Sequence, residues 1–563
     1  MFSNMKPAEK RLLEACQKGE VLNLADERPR KKTDNNEIRG KFLRALILSN
    51  NQEIIDEKWE KYILKIDPKG LNVQGAYISG TFDFSFCQTD LPFGFMNSIF
   101  EKQIKLFDSK IKIINLHGSI IPSIEAGRVI CDSDLLFRNI EIDYINFANS
   151  KIGGSFISEN SLYNNSDKSI NCNGTIIKGA VFFTNNFSSE GMIDFNSSNI
   201  GNLDCTNAKK IKYLNCNGAI INGTVYIKGI KQIDIIDLSH TQISVNIECI
   251  NSTNNQFICE SSFIKNNIAF DYFSTNLLNL GLSKIDGMLK TINLEINGHC
   301  ILNSSKINQL WFQKIFWKDN LINIDLDGLV YEHLNVENLN YKTLVDLLNK
   351  KPKEQTFKPQ PYKQMAKVLR NMGYKEDADD IMIKYNDNIR KEDCRLFISI
   401  LKWIYAKTAG YGYKPMSVIK WMSIVWLLCS LFYWNASKVG VFAPNNPLVF
   451  QKKDCYQCNV NSDGTPWTDF FNYSKYNSSN NWVLNENLDG EYTTFNPFWY
   501  SLDVILPIVD LQVEKDWGQY VSPNDWTLND FTRWLMWFEI LFGWTYSLIL
   551  VAILSGLAKN EKD

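Results

Sequence analysis

Histidine is scarce in this chain: His117, His240, His299 and His333 are the only four in 563 residues. So thin a supply gives a histidine-based metal site or a catalytic triad little to draw on, and structural places at corners or in strands are expected instead. The formal charge is −2, and without a basic balance nucleic acid is not an expected partner. The first fifty residues, from MFSNMKPAEKRLLEACQKGE onward, have no apolar h-region, so no cleavable signal peptide is expected and the N-terminus should stay in the cytoplasm. No G-x-G-x-x-G opens a βαβ unit, and no repeated C-x-x-C set is present to hold a cluster. No cofactor is therefore expected.

The chain has the length for two to four domains. Its 13 cysteines sit mostly alone among apolar neighbours, the way reduced, buried thiols are used in the cytosol. From about residue 71 to 330 the sequence becomes rich in Asn, Ser, Ile and Gly, with short alternating apolar runs and almost no helical period. INCNGTIIKGAVFF from Ile170 and LNCNGAIINGTVYI from Leu214 align without gaps, and LNVQGAYISGTFDF from Leu71 and INLHGSIIPSI from Ile114 fit the same frame. INFANSKIGGSF from Ile145, IDFNSSNIGNLD from Ile193, IDLSHTQISVNI from Ile236 and LNLGLSKIDGML from Leu278 are related lines. Cys172, Phe195, Cys216, Leu238, Cys259, Leu280 and Cys300 then recur at one turn of a solenoid, about 20 to 23 residues. Packing, not metal binding, is the expected role of that column.

The expected fold class is mainly β: a β-helix solenoid over 67–335, an N-terminal helical cap over 1–66 and a helical connector over 336–392. AEKRLLEACQKG and KFLRALILSNNQEIIDEKWEKYIL supply the helical signals of the cap. YKTLVDLLNKKP and PYKQMAKVLRNMGYKEDADDIMIKYNDNIRK supply those of the connector, with Gly373 at a turn between two helices. The acid pairs Asp379–Asp380 and Asp325–Asp327 read as a solvated face and a turn.

Two runs are long and apolar enough to cross a bilayer, within 416–436 and 531–558. Arg390, Lys391, Arg395, Lys402, Lys407 and Lys414 precede the first, which places both termini in the cytoplasm and the loop 437–530 outside. Residues 393–415 read as a juxtamembrane amphipathic helix and a turn. Thr408-Ala409-Gly410-Tyr411-Gly412 resembles a potassium-channel filter, but it precedes the first span on its cytoplasmic side and so reads as a turn between helices. Pro415 suits the first turn of the helix that follows.

In an oxidising compartment Cys455 and Cys458 are candidates for a disulfide, and a metal pair or redox motif has the same spacing. Glu539 lies inside the second span, either as an interfacial carboxylate paired with Lys438 or Arg533, or as a pore-lining or proton-sensing group. NPFWYSLDVILPIVDL, 496–511, is too short to span and reads as a re-entrant half-helix or an interfacial one. In a pore, Asp503 and Asp510 would attract cations at its mouth.

FKPQPYKQMAKVLRNMGYKEDADDIMI from Phe357, TAGYGYKP from Thr408 and WYSLDVILPIVDL from Trp499 carry a resemblance to a bacterial family of membrane-anchored, pentapeptide-repeat-like β-helix proteins. Members are often automatically labelled membrane-associated oxidoreductases. The resemblance implies a right-handed β-helix in the cytoplasm, a helical connector and a two-span transmembrane hairpin in the bacterial inner membrane. The function expected from the whole reading is a non-enzymatic binding or scaffold surface. An oligomeric pore gated by the β-helix is the alternative, and a redox enzyme the weakest one. Expected partners are membrane lipid, further copies in a homo-oligomer, and a protein or small molecule on the β-helix.

Overall fold

A computed structural model describes Phe2 and residues 4–55, 61–313, 316–317, 323–336, 341–349, 357–392, 395–446, 481–484, 488, 494–519 and 528–556. The chain divides into two units, Met1–Ile381 and Met382–Asp563.

The first unit is built on a β-solenoid of about twelve turns. Its strands stack in parallel and in register, so each position in a coil becomes a column. One buried column runs Ile114, Leu135, Phe156, Val181 and Leu203. A second runs Ile124, Ile145, Ile170, Ile193 and Leu214.

The two columns mark two half-coils with the same local grammar. Two inward residues flank an outward one, a corner residue takes positive φ, and a small hydroxyl residue commonly follows. Asn139 (φ 56°) and Asn160 (φ 49°) stand at one corner, and Asn149 (φ 56°) and Gly174 (φ 64°) at the other. Left-handed backbone is cheap for Gly and tolerated by Asn, which accounts for the richness in both. The Asn three residues before a corner commonly folds back on the chain: Asn146 Oδ1 accepts from Ala148 N–H (3.1 Å) and Asn215 Oδ1 from Asn217 N–H (3.1 Å). Buried hydroxyls satisfy the carbonyls that the turn leaves inside, as Thr175 does for Phe147 (2.7 Å) and Ser262 for Leu238 (2.7 Å).

This grammar corrects two expectations. The lines from Leu71 and Ile114 share the first column with Phe93 and Leu135, whereas those from Ile170 and Leu214 lie in the second. The apparent single frame is two frames that look alike because both corners need the same chemistry. Cys172, Phe195, Cys216, Leu238, Cys259 and Leu280 do stack, but the position equivalent to them in the next coil is Leu302. Cys300 pairs with Leu278, two residues earlier in the coil. Burial pushes the Cys259 thiol up to about 12, and these thiols are inert packing groups.

In the N-terminal segment, α1 (Pro7–Lys18) and α2 (Gly40–Leu48) are helical. Residues 22–23 pair in parallel with Val73–Gln74 and residues 37–39 with Tyr77–Ser79, which gives the first coil a strand neighbour. The expected helix past Leu48 is instead an antiparallel hairpin, Glu53–Ile55 with Lys61–Ile63. Asn51 at φ 62° ends the helical path, and β-branched Ile54 and Ile55 suit the strand that follows. After the last coil come α3 (Tyr341–Asn349), α4 (Gln360–Asn371) and α5 (Lys375–Glu392), with Gly373 at φ 91° between the last two. Gln360 and Gln364 of α4 donate to the carbonyls of Leu329 and Tyr331, which fixes α4 on the final coil.

Two outcomes follow for this unit. Thr175→Val leaves the Phe147 carbonyl without its hydroxyl donor, so chemical denaturation of the solubilised protein should show a loss of about 1–2 kcal/mol. Glu37 is buried, which pushes its carboxyl up, but hydrogen bonds from Lys6, Ser79 and Lys32 outweigh burial and hold it at about 2. A depressed carboxylate stabilises above its unfolded value of about 4.3 and loses that contribution as pH falls toward 2. Protection of the amides of residues 37–39, measured by hydrogen exchange corrected for intrinsic rate, should therefore drop across that window and be flat in Glu37→Gln.

Candidate functional site between two apolar helices

The second unit holds α6 (Leu396–Ala409), α7 (Pro415–Lys438), α8 (Pro497–Ile505) and α9 (Leu528–Leu554). Helices α7 and α9 are long and apolar enough to cross a membrane. Leu428, Leu431 and Trp434 on α7 are exposed, as are Leu541, Trp544 and Leu548 on α9, giving outer faces of the kind hydrocarbon accepts.

The filter-like stretch is a tight reversal. Gly410 (φ 55°), Tyr411 (φ 54°) and Gly412 (φ 88°) turn α6 into α7, and the Tyr411 hydroxyl donates to Asp387 (3.0 Å). Pro415 opens α7.

Helix α8 sits against both apolar helices. Asn496 caps it, accepting from the Phe498 and Trp499 amides at 2.9 and 3.3 Å. On one side Trp426 Nε1–H donates to the Phe498 carbonyl at 3.0 Å. On the other, a Cβ added to Gly543 would stand 2.1 Å from the Ile505 carbonyl, so only glycine lets α8 approach α9 there. At a helical rise of 1.5 Å, Trp426 lies about 18 Å from the Lys438 end of α7, and Gly543 about 20 Å from Asp530. Helix α8 thus packs at the middle of both.

Glu539 is fully buried in this packing. Tyr433 Oη donates to its Oε2 at 2.8 Å, Ser501 of α8 donates to its Oε1, and the Cys429 thiol also faces it. Ser501 Oγ also lies 3.2 Å from the Trp426 carbonyl. One carboxyl therefore joins α7, α8 and α9. Lys438 and Arg533, the anticipated partners, lie instead over the rings of Trp434 (4.1 Å) and Trp537 (5.8 Å).

The two aspartates have separate places. Asp503 is buried, and its two carboxylate oxygens accept the amides of Leu511 (2.6 Å) and Glu514 (2.9 Å), closing the return of the chain after α8. Asp510 is exposed; Lys515 and the Gln512 amide hold its carboxyl below the usual range. The structure brings neither onto Glu539. Cys455 and Cys458 lie outside the described residues.

Elsewhere, His240 is a corner residue (φ 57°), while His299 pairs with Asn323 and His333 with Gln309 in strands. Among the described residues no group of three or more His, Cys, Asp or Glu could hold a metal ion. Asp325 accepts from the Asp327 amide (3.2 Å) within a turn, and Asp379 pairs with Arg370 (3.2 Å).

Sequence reasoning singled out Glu539 but missed Tyr433, Ser501 and Gly543. Their signal is a hydroxyl or a missing side chain inside a run of large apolar residues, which marks where helices meet in an apolar medium. No family model, curated protein or solved structure matches the chain.

Gly543→Leu should expel α8, because the added side chain would have to occupy the Ile505 backbone. Limited proteolysis in detergent should then cut between 497 and 511 at least about tenfold faster than in wild type, while Gly543→Ser gives an intermediate rate.

Proposed function

We propose that this chain is a non-enzymatic scaffold of the bacterial inner membrane. A right-handed β-solenoid in the cytoplasm is its binding surface, and α7, α8 and α9 form its anchor. In this reading the N-terminal helices and α3–α4 close the two ends of the solenoid. Helix α6 lies in the cytoplasmic interface, its exposed arc of Leu396, Phe397, Ile400 and Trp403 toward lipid and Lys407 toward headgroups.

The supporting observation is the closure of Glu539 within one chain. A carboxylate that lines a pore must face water, yet both oxygens here are taken by Tyr433 and Ser501, and the outer faces of α7 and α9 are apolar. The membrane unit needs no second copy to satisfy this group.

A channel is the second reading, favoured by the order of long helix, short apolar helix and long helix, with α8 re-entrant at mid-depth. It needs several copies around a path. Redox chemistry finds no support in the residues.

Reconstituted liposomes separate the two. The scaffold reading predicts no ion flux above that of empty liposomes for wild type or Glu539→Gln, from protein that elutes in detergent as a single copy. A stable assembly of several copies that conducts, with flux altered in Glu539→Gln, would overturn it.

A further inference from the structure

One outward column of the solenoid is patterned on a longer period than the coil itself. Ile130, Ile176, Ile220 and Phe263 are exposed at 43%, 41%, 39% and 36%. Strand register places them in one column, and the coils between them put Lys151, Asn199 and Gln242 at the same position. Apolar and polar residues thus alternate coil by coil from Lys110 to Lys284; Lys306 breaks the pattern, and exposed Val330 ends the column. Of the nine exposed large apolar side chains described between Phe86 and Val330, five stand here. A solvated face gains nothing from such concentration, so it marks an interaction surface.

The flanks give the sign of the partner. Lys112, Lys178 and Lys265 lie two residues beyond the column, in step with Lys151 and Lys306 within it, and none of these five makes an ion pair among the described residues. The same flanking position also carries acids, Asp132, Asp286 and Glu332, of which Asp132 pairs with Lys110 (3.8 Å) and Asp286 with Lys284 (2.9 Å). With Lys110, Lys151, Lys284 and Lys306 in the column itself, the face is apolar and net positive along its middle, with charges of both signs along this edge.

The spacing gives the shape. Coils stack about 4.8 Å apart, so the apolar residues recur at about 9.6 Å. An α-helix laid along the solenoid axis presents residues i and i+7 about 10.5 Å apart, within about 1 Å of that step. Resting on the scaffold reading, we infer that the Ile130–Phe263 ladder docks an acidic amphipathic α-helix of a partner protein. Apolar residues at every seventh position would meet the isoleucines, and flanking carboxylates would meet Lys112, Lys151, Lys178 and Lys265.

The probe is a fluorescent peptide of about 22 residues, with leucine at every seventh position and glutamates beside each leucine, titrated against the full chain in zwitterionic nanodiscs. Saturable anisotropy is expected, weakened at least about tenfold by Ile176→Glu with Ile220→Glu and by Lys151→Gln with Lys178→Gln. It should be unchanged by Tyr272→Ser, a residue exposed at the other corner, away from the column and its flanks. Circular dichroism and melting of each variant confirm that the solenoid is intact. Equal binding by the ladder variants, equal binding of a lysine-for-glutamate peptide, or ladder-dependent capture of anionic vesicles in place of the peptide would each overturn the inference. These outcomes leave the scaffold reading standing, whereas ion flux in liposomes would remove that reading without any peptide measurement.

Discussion

In-register parallel hydrogen bonding between coils is the constraint on which the rest of the first unit depends. Once Ile114 must stack on Leu135 and Leu135 on Phe156, the freedom left to each coil is what it does at its corners and outward positions. The corners are solved by left-handed Asn or Gly, by Asn side chains bonded two residues ahead, and by buried hydroxyls on inward carbonyls. The outward positions carry no packing duty. A pattern that persists there, as at Ile130, Ile176, Ile220 and Phe263, needs a cause outside the coil.

The second unit is governed by its two long apolar helices. Between apolar helices a carboxyl must find donors in its own surroundings, and Glu539 finds Tyr433 on α7 and Ser501 on α8. Those bonds, the Gly543 contact and the Trp426 bond to the Phe498 carbonyl together locate α8. Asp503 does the same for the chain that leaves α8, with both oxygens on backbone amides. The acidic residues that suggested a conduction path therefore have structural partners, and those partners favour an anchor.

Much of this could be read in the sequence, for physical reasons. Side-chain alternation with corner residues at a fixed period announces a solenoid, and a run of about 20 apolar residues announces a helix fit for a bilayer. The stacked frame of Ile145, Ile170, Ile193 and Leu214 was legible because inward positions tolerate few residue types. The half-coil symmetry was not, since two chemically alike corners look like one repeat. Cys300 was misplaced by two residues because it and Leu302 are both buried inward positions of one half-coil. The antiparallel pairing of 53–55 with 61–63 was hidden by helix-favouring Glu and Lys around it, and Glu539 was visible while its donors were not, because Tyr433 and Ser501 lie 106 and 38 residues away.

The central claim is that one chain closes its own membrane unit and so presents the solenoid as a surface instead of gating a pore. Electron cryomicroscopy of the full chain in lipid nanodiscs tests it most directly. The account predicts particles in which Glu539 is bonded to Tyr433 and Ser501 of the same chain, with α8 between α7 and α9 and no water-filled path beside them. A ring of chains around a continuous aqueous path lined by Glu539 would contradict it.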